Sequence, residues 1–80
     1  MGYHIRHINK GTLGQVSKLQ EELEELIDAE EQGIRIMAMC ELADIYGALQ
    51  AMADKYGLTM ADLKSMADAT ARAFKDGSRR

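Results

Sequence analysis

The sequence predicts an all-α domain: a short antiparallel helical hairpin followed by a third helix, completed by association into a dimeric or larger helical bundle. Three observations predict it. The 80 residues include no proline, no tryptophan and one phenylalanine, so the core has to come from Leu, Ile, Met, Ala and Tyr, which suits helices and not a sandwich or barrel. Apolar residues recur at helical spacing in three stretches separated by Gly33 and Gly57. One of these stretches, Ile34 to Ala53, is apolar on nearly every face. That marks a buried helix, and burying it takes more cover than two short neighbours give, hence the expected homo-oligomer, a dimer or tetramer.

The length bounds the chain to one small domain, 1–80, near the lower size at which a single core holds a fold. A net charge of −3 gives no general reason to bind nucleic acid. The single cysteine, Cys40, excludes an internal disulfide and is expected as a small core residue of the central helix. Met1 to Arg6 contains no apolar run of a secretory signal, and Arg6 stands where a myristoylation signal needs Ser or Thr. Ile34–Ala53 is long enough for a membrane span, but central acids cost roughly 2.5–3.5 kcal/mol each on insertion, and Glu41 and Asp44 are central. A cytoplasmic protein without a membrane partner is expected.

Taken in order, residues 1–12 form an N-terminal arm carrying Tyr3, His4, Ile5, Arg6, His7, Ile8 and Lys10. Two readings stand: an extended arm lying over the bundle, or one whose His4, Arg6, His7 and Lys10 bring positive charge towards an anionic substrate. The first helix should begin near Thr12 or Leu13, where Thr12 with Gln15, or Ser17 with Gln20, has capping-box spacing. Its apolar stripe is Leu13, Val16, Leu19, Leu23, Leu26 and Ile27, and Gly33 is its natural stop. So short a connection makes the next helix antiparallel. That helix should run to Lys55 or Tyr56 before Gly57. Its Gly47, which costs about 1 kcal/mol against alanine, suggests close helix approach or room for a ligand. Thr59 with Asp62 caps the third helix, whose face is Leu63, Met66, Ala67, Thr70, Ala73 and Phe74. Gly77 ends it before a basic tail, 78–80. The whole reads as a compact three-helix protomer.

The chemistry resides in acids. Glu41 and Asp44 lie one turn apart on a helix without a polar face, and an unpaired buried carboxylate costs several kcal/mol. Either a metal ion or a buried salt bridge to Arg35, Lys64 or Arg72 has to compensate them. One helix earlier stands Glu21-Glu22-Leu23-Glu24-Glu25, which alone would read as a solvated face. Glu22 borders the apolar stripe and Glu25 lies away from it. Glu22 and Glu25, also one turn apart, could meet Glu41 and Asp44 across the hairpin, and four carboxylates suit Mg²⁺ or Mn²⁺. No EF-hand loop and no glycine-rich phosphate loop is present, and zinc would want His or Cys beside the acids. No nucleophilic constellation is suggested, because both histidines sit in the arm.

Glu21-Glu22-Leu23-Glu24-Glu25, followed by Glu41-Leu42-Ala43-Asp44, resembles the E-E-x-x-E … E-x-x-D signature of the MazG-like all-α nucleoside triphosphate pyrophosphohydrolases, over Leu13 to about Leu49. That superfamily includes phosphoribosyl-ATP pyrophosphohydrolase and the dimeric dUTPases. The resemblance implies hydrolysis of the α–β phosphate bond of a nucleotide substrate, giving a monophosphate and pyrophosphate. It makes Glu22, Glu25, Glu41 and Asp44 ligands of Mg²⁺ (with Mn²⁺ as substitute), Glu25 and Glu41 catalytic, with Glu25 taking the proton from water, and Glu21 a supporting acid behind them. Lys18, Lys64, Arg72 and Arg79 are candidates for the phosphates. Tyr46, Tyr56, Phe74 or the histidines are candidates for stacking on a base. The chain departs from larger members in lacking a segment to enclose the base and the Lys-and-Asn pattern of the last helix. Two other readings therefore stand beside hydrolysis: a protein that binds a nucleotide without turnover, and a structural helical module.

Overall fold

The computed structural model describes residues 4–75, of which Ala73 and Phe74 only in their backbone. Tyr3, the Phe74 side chain, Gly77 and the tail with Arg79 lie outside the described residues. The described chain is three helices and no strand: α1, Val16–Gln32; α2, Arg35–Lys55; α3, Met60–Lys75.

α1 starts a few residues later than its apolar pattern suggests, because Thr12 to Gln15 folds as a turn, with Gln15 N–H donating to the Thr12 carbonyl at 3.0 Å. Neither expected capping box forms. Gln15 is the N-cap without a side-chain bond, and the Ser17 hydroxyl oxygen instead accepts the Thr12 N–H at 3.0 Å. At the other end Gly33 takes the left-handed conformation, φ 71°. Its N–H donates to the Glu30 carbonyl, and that of Ile34 to Ala29, closing the helix as such glycines do. The chain reverses here, and α1 against α2 is the main contact of the fold.

α2 ends over Gly57, φ 73°, with Leu58 N–H donating to the Ala53 carbonyl at 2.9 Å. The cap of α3 is the one the sequence announces. Thr59 Oγ1 accepts the Asp62 N–H at 3.0 Å, and Asp62 accepts the Thr59 N–H at 2.9 Å. These bonds hold the Asp62 carboxyl below its ordinary range. Beyond its cap α3 meets α2 sparsely and, among the described residues, does not meet α1. The chain is therefore elongated, 41 × 28 × 20 Å, rather than compact. Met66 and Ala67 of the expected α3 face are exposed.

The faces of the hairpin are inverted relative to an ordinary core. On α1, Glu21, Glu22, Asp28 and Ala29 are buried, whereas Leu13, Val16, Leu23 and Ile27 of the apolar stripe are exposed. On α2 the buried residues are Met37, Glu41, Ala48 and Ala53, and Ile36, Met39, Leu42, Tyr46 and Leu49 stand exposed. The two largest fully buried side chains are carboxylates, Glu41 and Asp28. In the protomer α2 is thus covered on one face only. Cys40, next to Glu41 in sequence and so pointing about 100° away on the helix, is exposed and not a core residue. Gly47 is exposed too, and a Cβ there would meet nothing within 4 Å, so no helix approaches it closely in the protomer. By length and composition α2 could cross a membrane; its Glu41 is buried against α1.

Candidate metal centre

Glu22 and Glu25 project from α1, and Glu41 and Asp44 from α2, into one space. One ligand atom from each lies within 4.8 Å of all the others. The antiparallel register brings them together, since each pair sits one turn apart on the facing sides of α1 and α2. Glu25 is half-buried here although it lies off the apolar stripe of α1, because that stripe is not the face that meets α2. Asp44 departs from expectation in the other direction. It is exposed, while Glu41 is 1 % exposed, so the pair spans the site from interior to mouth. Among the described residues no salt bridge joins Glu41 or Asp44 to Arg35, Lys64 or Arg72. Lys64 pairs with Asp68 on its own helix at 2.9 Å, and Arg72 is exposed on α3.

A histidine from the arm faces Glu41 instead. His4 Nδ1 lies 2.8 Å from Asp28 Oδ2, and its Nε2 lies 3.2 Å from Glu41 Oε2 and 3.7 Å from Glu25 Oε1. An ionised carboxylate only accepts, so Nδ1 carries the proton towards Asp28. Gln32 Nε2 donates to the same Asp28 oxygen at 2.8 Å, and the Ile5 N–H donates to it at 3.4 Å. Burial opposes the charge on Asp28, yet His4, Gln32 and the Ile5 amide outweigh it and hold the carboxyl below its ordinary range. Burial likewise opposes charge on His4, and Asp28, Glu25 and Glu41 together raise its pKa above the ordinary histidine value.

Neither Asp28 nor His4 was singled out with the acids by sequence. Asp28 continues the polar face Lys18, Glu21/Glu22, Glu25, Asp28, Gln32 at three- and four-residue steps. Reading that face as a second stripe would have found it. No sequence signal places His4, which is 24 and 37 residues from its partners.

Glu21 and Lys18 close the other end. Lys18 Nζ bridges Glu21 Oε1 at 3.1 Å and Glu22 Oε2 at 3.0 Å, and these two bonds push the Lys18 pKa well above its ordinary value. Glu21 Oε1 also accepts the Gly11 N–H at 2.9 Å. Burial works against its charge, but Gly11, Lys18 and the more distant Lys10 keep it below the usual carboxylate range. Glycine is needed at 11, since a Cβ there would collide with the Ser17–Lys18 backbone. Glu21 thus anchors the arm, and Lys18, a candidate for phosphate, is bound to two acids.

The remaining acids are undercompensated. Burial pushes the Glu22 carboxyl up, with Glu25 and Asp44 adding to it and Lys18 opposing. Burial and the adjoining Glu41 push Glu25 up, with His4 opposing. Glu22 Oε1, Glu41 Oε1 and Asp28 Oδ1 are buried without a hydrogen-bond partner among the described residues. Leaving a buried charged oxygen unsatisfied costs about 1–3 kcal/mol or more, so native structures rarely do it. Two of these oxygens belong to the four-acid set. Hard oxygen donors, convergent and short of positive charge, fit Mg²⁺ or Mn²⁺. No known protein family, characterised protein or solved structure matches this chain.

Proposed function

We propose that this chain is a Mg²⁺-dependent nucleoside triphosphate pyrophosphohydrolase that works as a homo-oligomer in the cytoplasm, cleaving between the α- and β-phosphates. The observation that carries the reading is the convergence of Glu22, Glu25, Glu41 and Asp44, with buried unpartnered oxygens on two of them. The acids alternate with apolar residues in the pattern of the MazG-like signature, which adds to the reading.

Glu22, Glu25, Glu41 and Asp44 would hold the ion, which when bound neutralises triphosphate charge and acidifies a water. The protein's own groups divide the remaining work. Asp44, exposed at the mouth, marks the side from which a nucleotide enters. Glu25, half-buried with its carboxyl pushed up by burial and by Glu41, is the acid assigned to accept the proton. Lys18 and Glu21 fix the position of Glu22. Lys64 and Arg72 sit on α3, whose described residues do not meet α1, and a second copy could bring them to the nucleotide. The exposed stripe Met39, Leu42, Tyr46 and Leu49 has the three- and four-residue steps of a helix–helix seam, and supports burial of α2 between copies.

The test is incubation with Mg²⁺ and a panel of ribo- and deoxyribonucleoside triphosphates, with products separated by anion exchange and Glu41→Gln as control. Monophosphate and pyrophosphate, absent with Glu41→Gln, are expected. Mg²⁺-dependent retention of a nucleotide without product would make the chain a binding protein, and the absence of both product and retention would overturn the reading.

A further inference from the structure

The hydrolase reading uses four acids and leaves His4 and Asp28 without a task. Their arrangement is that of a metal-binding histidine. Metal-ligating imidazoles commonly donate one ring N–H to a carboxylate, which fixes the tautomer and aims the other nitrogen at the ion. Asp28, fully buried, holds Nδ1 at 2.8 Å and is itself held by Gln32 and the Ile5 amide. The other nitrogen, Nε2, is directed between Glu41 Oε2 and Glu25 Oε1, at 3.2 and 3.7 Å. The longer distance is outside hydrogen-bond range. Both fit the edges of a coordination shell, where ligands about 2.1 Å from an ion stand roughly 3 to 4.2 Å apart.

We propose that His4 Nε2, Glu25 and Glu41 form a second cation position, which takes a divalent transition-metal ion, borderline-soft Zn²⁺ or the harder Mn²⁺. The position rests on the hydrolase reading to the extent that it shares Glu25 and Glu41 with the four-acid site. Donor atoms of His4, Glu25 and Glu41 lie within 4.8 Å of one another, as do those of Glu22, Glu25, Glu41 and Asp44, but the five residues do not form one such group. The two groups share Glu25 and Glu41, so the proposed position adjoins the four-acid site. Support comes from Glu41, 1 % exposed, whose Oε1 has no hydrogen-bond partner among the described residues. Its Oε2 faces His4 Nε2 at 3.2 Å, and an ion held there would replace that hydrogen bond. The imidazole nitrogen sets the preference, because it favours transition metals over Mg²⁺ whereas an all-carboxylate set does not.

The experiment uses the full chain stripped of metal by chelation. Mn²⁺ is added, and electron spin-echo envelope modulation is recorded for coupling to an imidazole nitrogen. Titration calorimetry then gives the affinities of Mn²⁺, Zn²⁺ and Mg²⁺ for the unaltered chain, His4→Ala, Asp28→Asn and Glu41→Gln. Nitrogen coupling is expected in the unaltered chain. His4→Ala should abolish it and weaken Zn²⁺ and Mn²⁺ about tenfold or more while sparing Mg²⁺, and Asp28→Asn should weaken them about tenfold. Ion binding that depends on Glu41 but shows no nitrogen coupling would overturn the second position and leave the four-acid site standing. Absence of any ion binding would overturn both. Should His4→Ala fail to fold, the coupling in the unaltered chain decides alone. Unchanged or tighter Zn²⁺ binding in a folded His4→Ala would mean that His4 is only an internal counter-charge to the acids, and would end the proposal.

Discussion

The two faces of α2 obey opposite rules. The face towards α1 buries Glu41 among Met37 and Ala48 and borders Glu22, Glu25 and Asp28. The face away from α1 carries Ile36, Met39, Leu42, Tyr46 and Leu49, with Ile36 70 % exposed. Hydrophobic burial at roughly 25 cal/mol per Å² would favour the reverse arrangement in an isolated hairpin. This chain hides its charges and shows its apolar stripe, and it is on these two features that the proposed cation and the proposed second copy rest. The cleft of about 490 Å³ between α2 and α3, lined by Tyr46, Leu49, Met60, Leu63 and Ala67, continues that open apolar surface. The proposed metal binding and the proposed association would thus use opposite faces of one helix.

The largest effect should come from the inner face. Saturation with a ligand at about a hundred times its Kd stabilises by about 2.7 kcal/mol, which for a domain of this size is roughly 10–20 °C in Tm. Mg²⁺ should raise Tm on that scale, and Glu41→Gln should remove the rise. If Glu22→Gln and Glu25→Gln leave the rise intact, the two helices do not share one site.

Next comes the outer face. Leu42→Glu places a charge in the middle of the exposed stripe. A surface substitution in a true monomer stays within about 0.5 kcal/mol. If copies pack on this face, sedimentation velocity should instead show dissociation, together with loss of the concentration dependence of Tm. An unchanged monomer in both chains would mean that the apolar face serves no oligomer.

Gly11→Ala tests whether the arm belongs to the inner face. Its Cβ would strike the Ser17–Lys18 backbone, so the arm should lift, at a cost of about 1–3 kcal/mol. Amide exchange at Ile5 should accelerate, because its N–H loses Asp28.

The pH dependence sharpens the same point. Glu22 and Glu25 have carboxyls raised above their ordinary 4.5, and His4 is raised above 6.5. A raised acid favours the folded state while protonated, and that advantage fades as pH rises from 4.5 through its folded value. The His4 contribution is complete below 6.5 and is lost as pH rises through its raised value. Without metal, Tm should therefore fall as pH rises above 4.5 through the raised values of the two acids and then above 6.5 through that of His4, and Mg²⁺ should flatten the fall. Asp28, lowered below 3.8, contributes above that pH and loses its contribution as pH falls through its folded value. Thr59→Ala is the smallest change, about 1 kcal/mol from a lost cap, and should fray α3 without touching metal affinity.

Residues acting within one or two turns were legible from the chain alone. Gly33 and Gly57 end α1 and α2, and Thr59 with Asp62 starts α3, because caps and left-handed glycines act locally. The pairs Glu22/Glu25 and Glu41/Asp44 were legible too, since helical spacing fixes which neighbours share a side. The start of α1 was not, because Thr12 and Ser17 bond within a turn that competes with the helix.

The sequence by itself determined three helices, their order, the antiparallel turn and the two acid pairs. Only the tertiary structure decided which face of α1 meets α2, and with it the burial of Glu25 and Asp28 and the exposure of Cys40 and Asp44. An amphipathic pattern says that two faces differ, but not which of them a neighbour will take when a charged face can be satisfied by cations and an apolar one by another surface. The meeting of His4 with Asp28 and Glu41 also belonged to tertiary structure alone, because contacts across 24 and 37 residues leave no periodic trace in the chain.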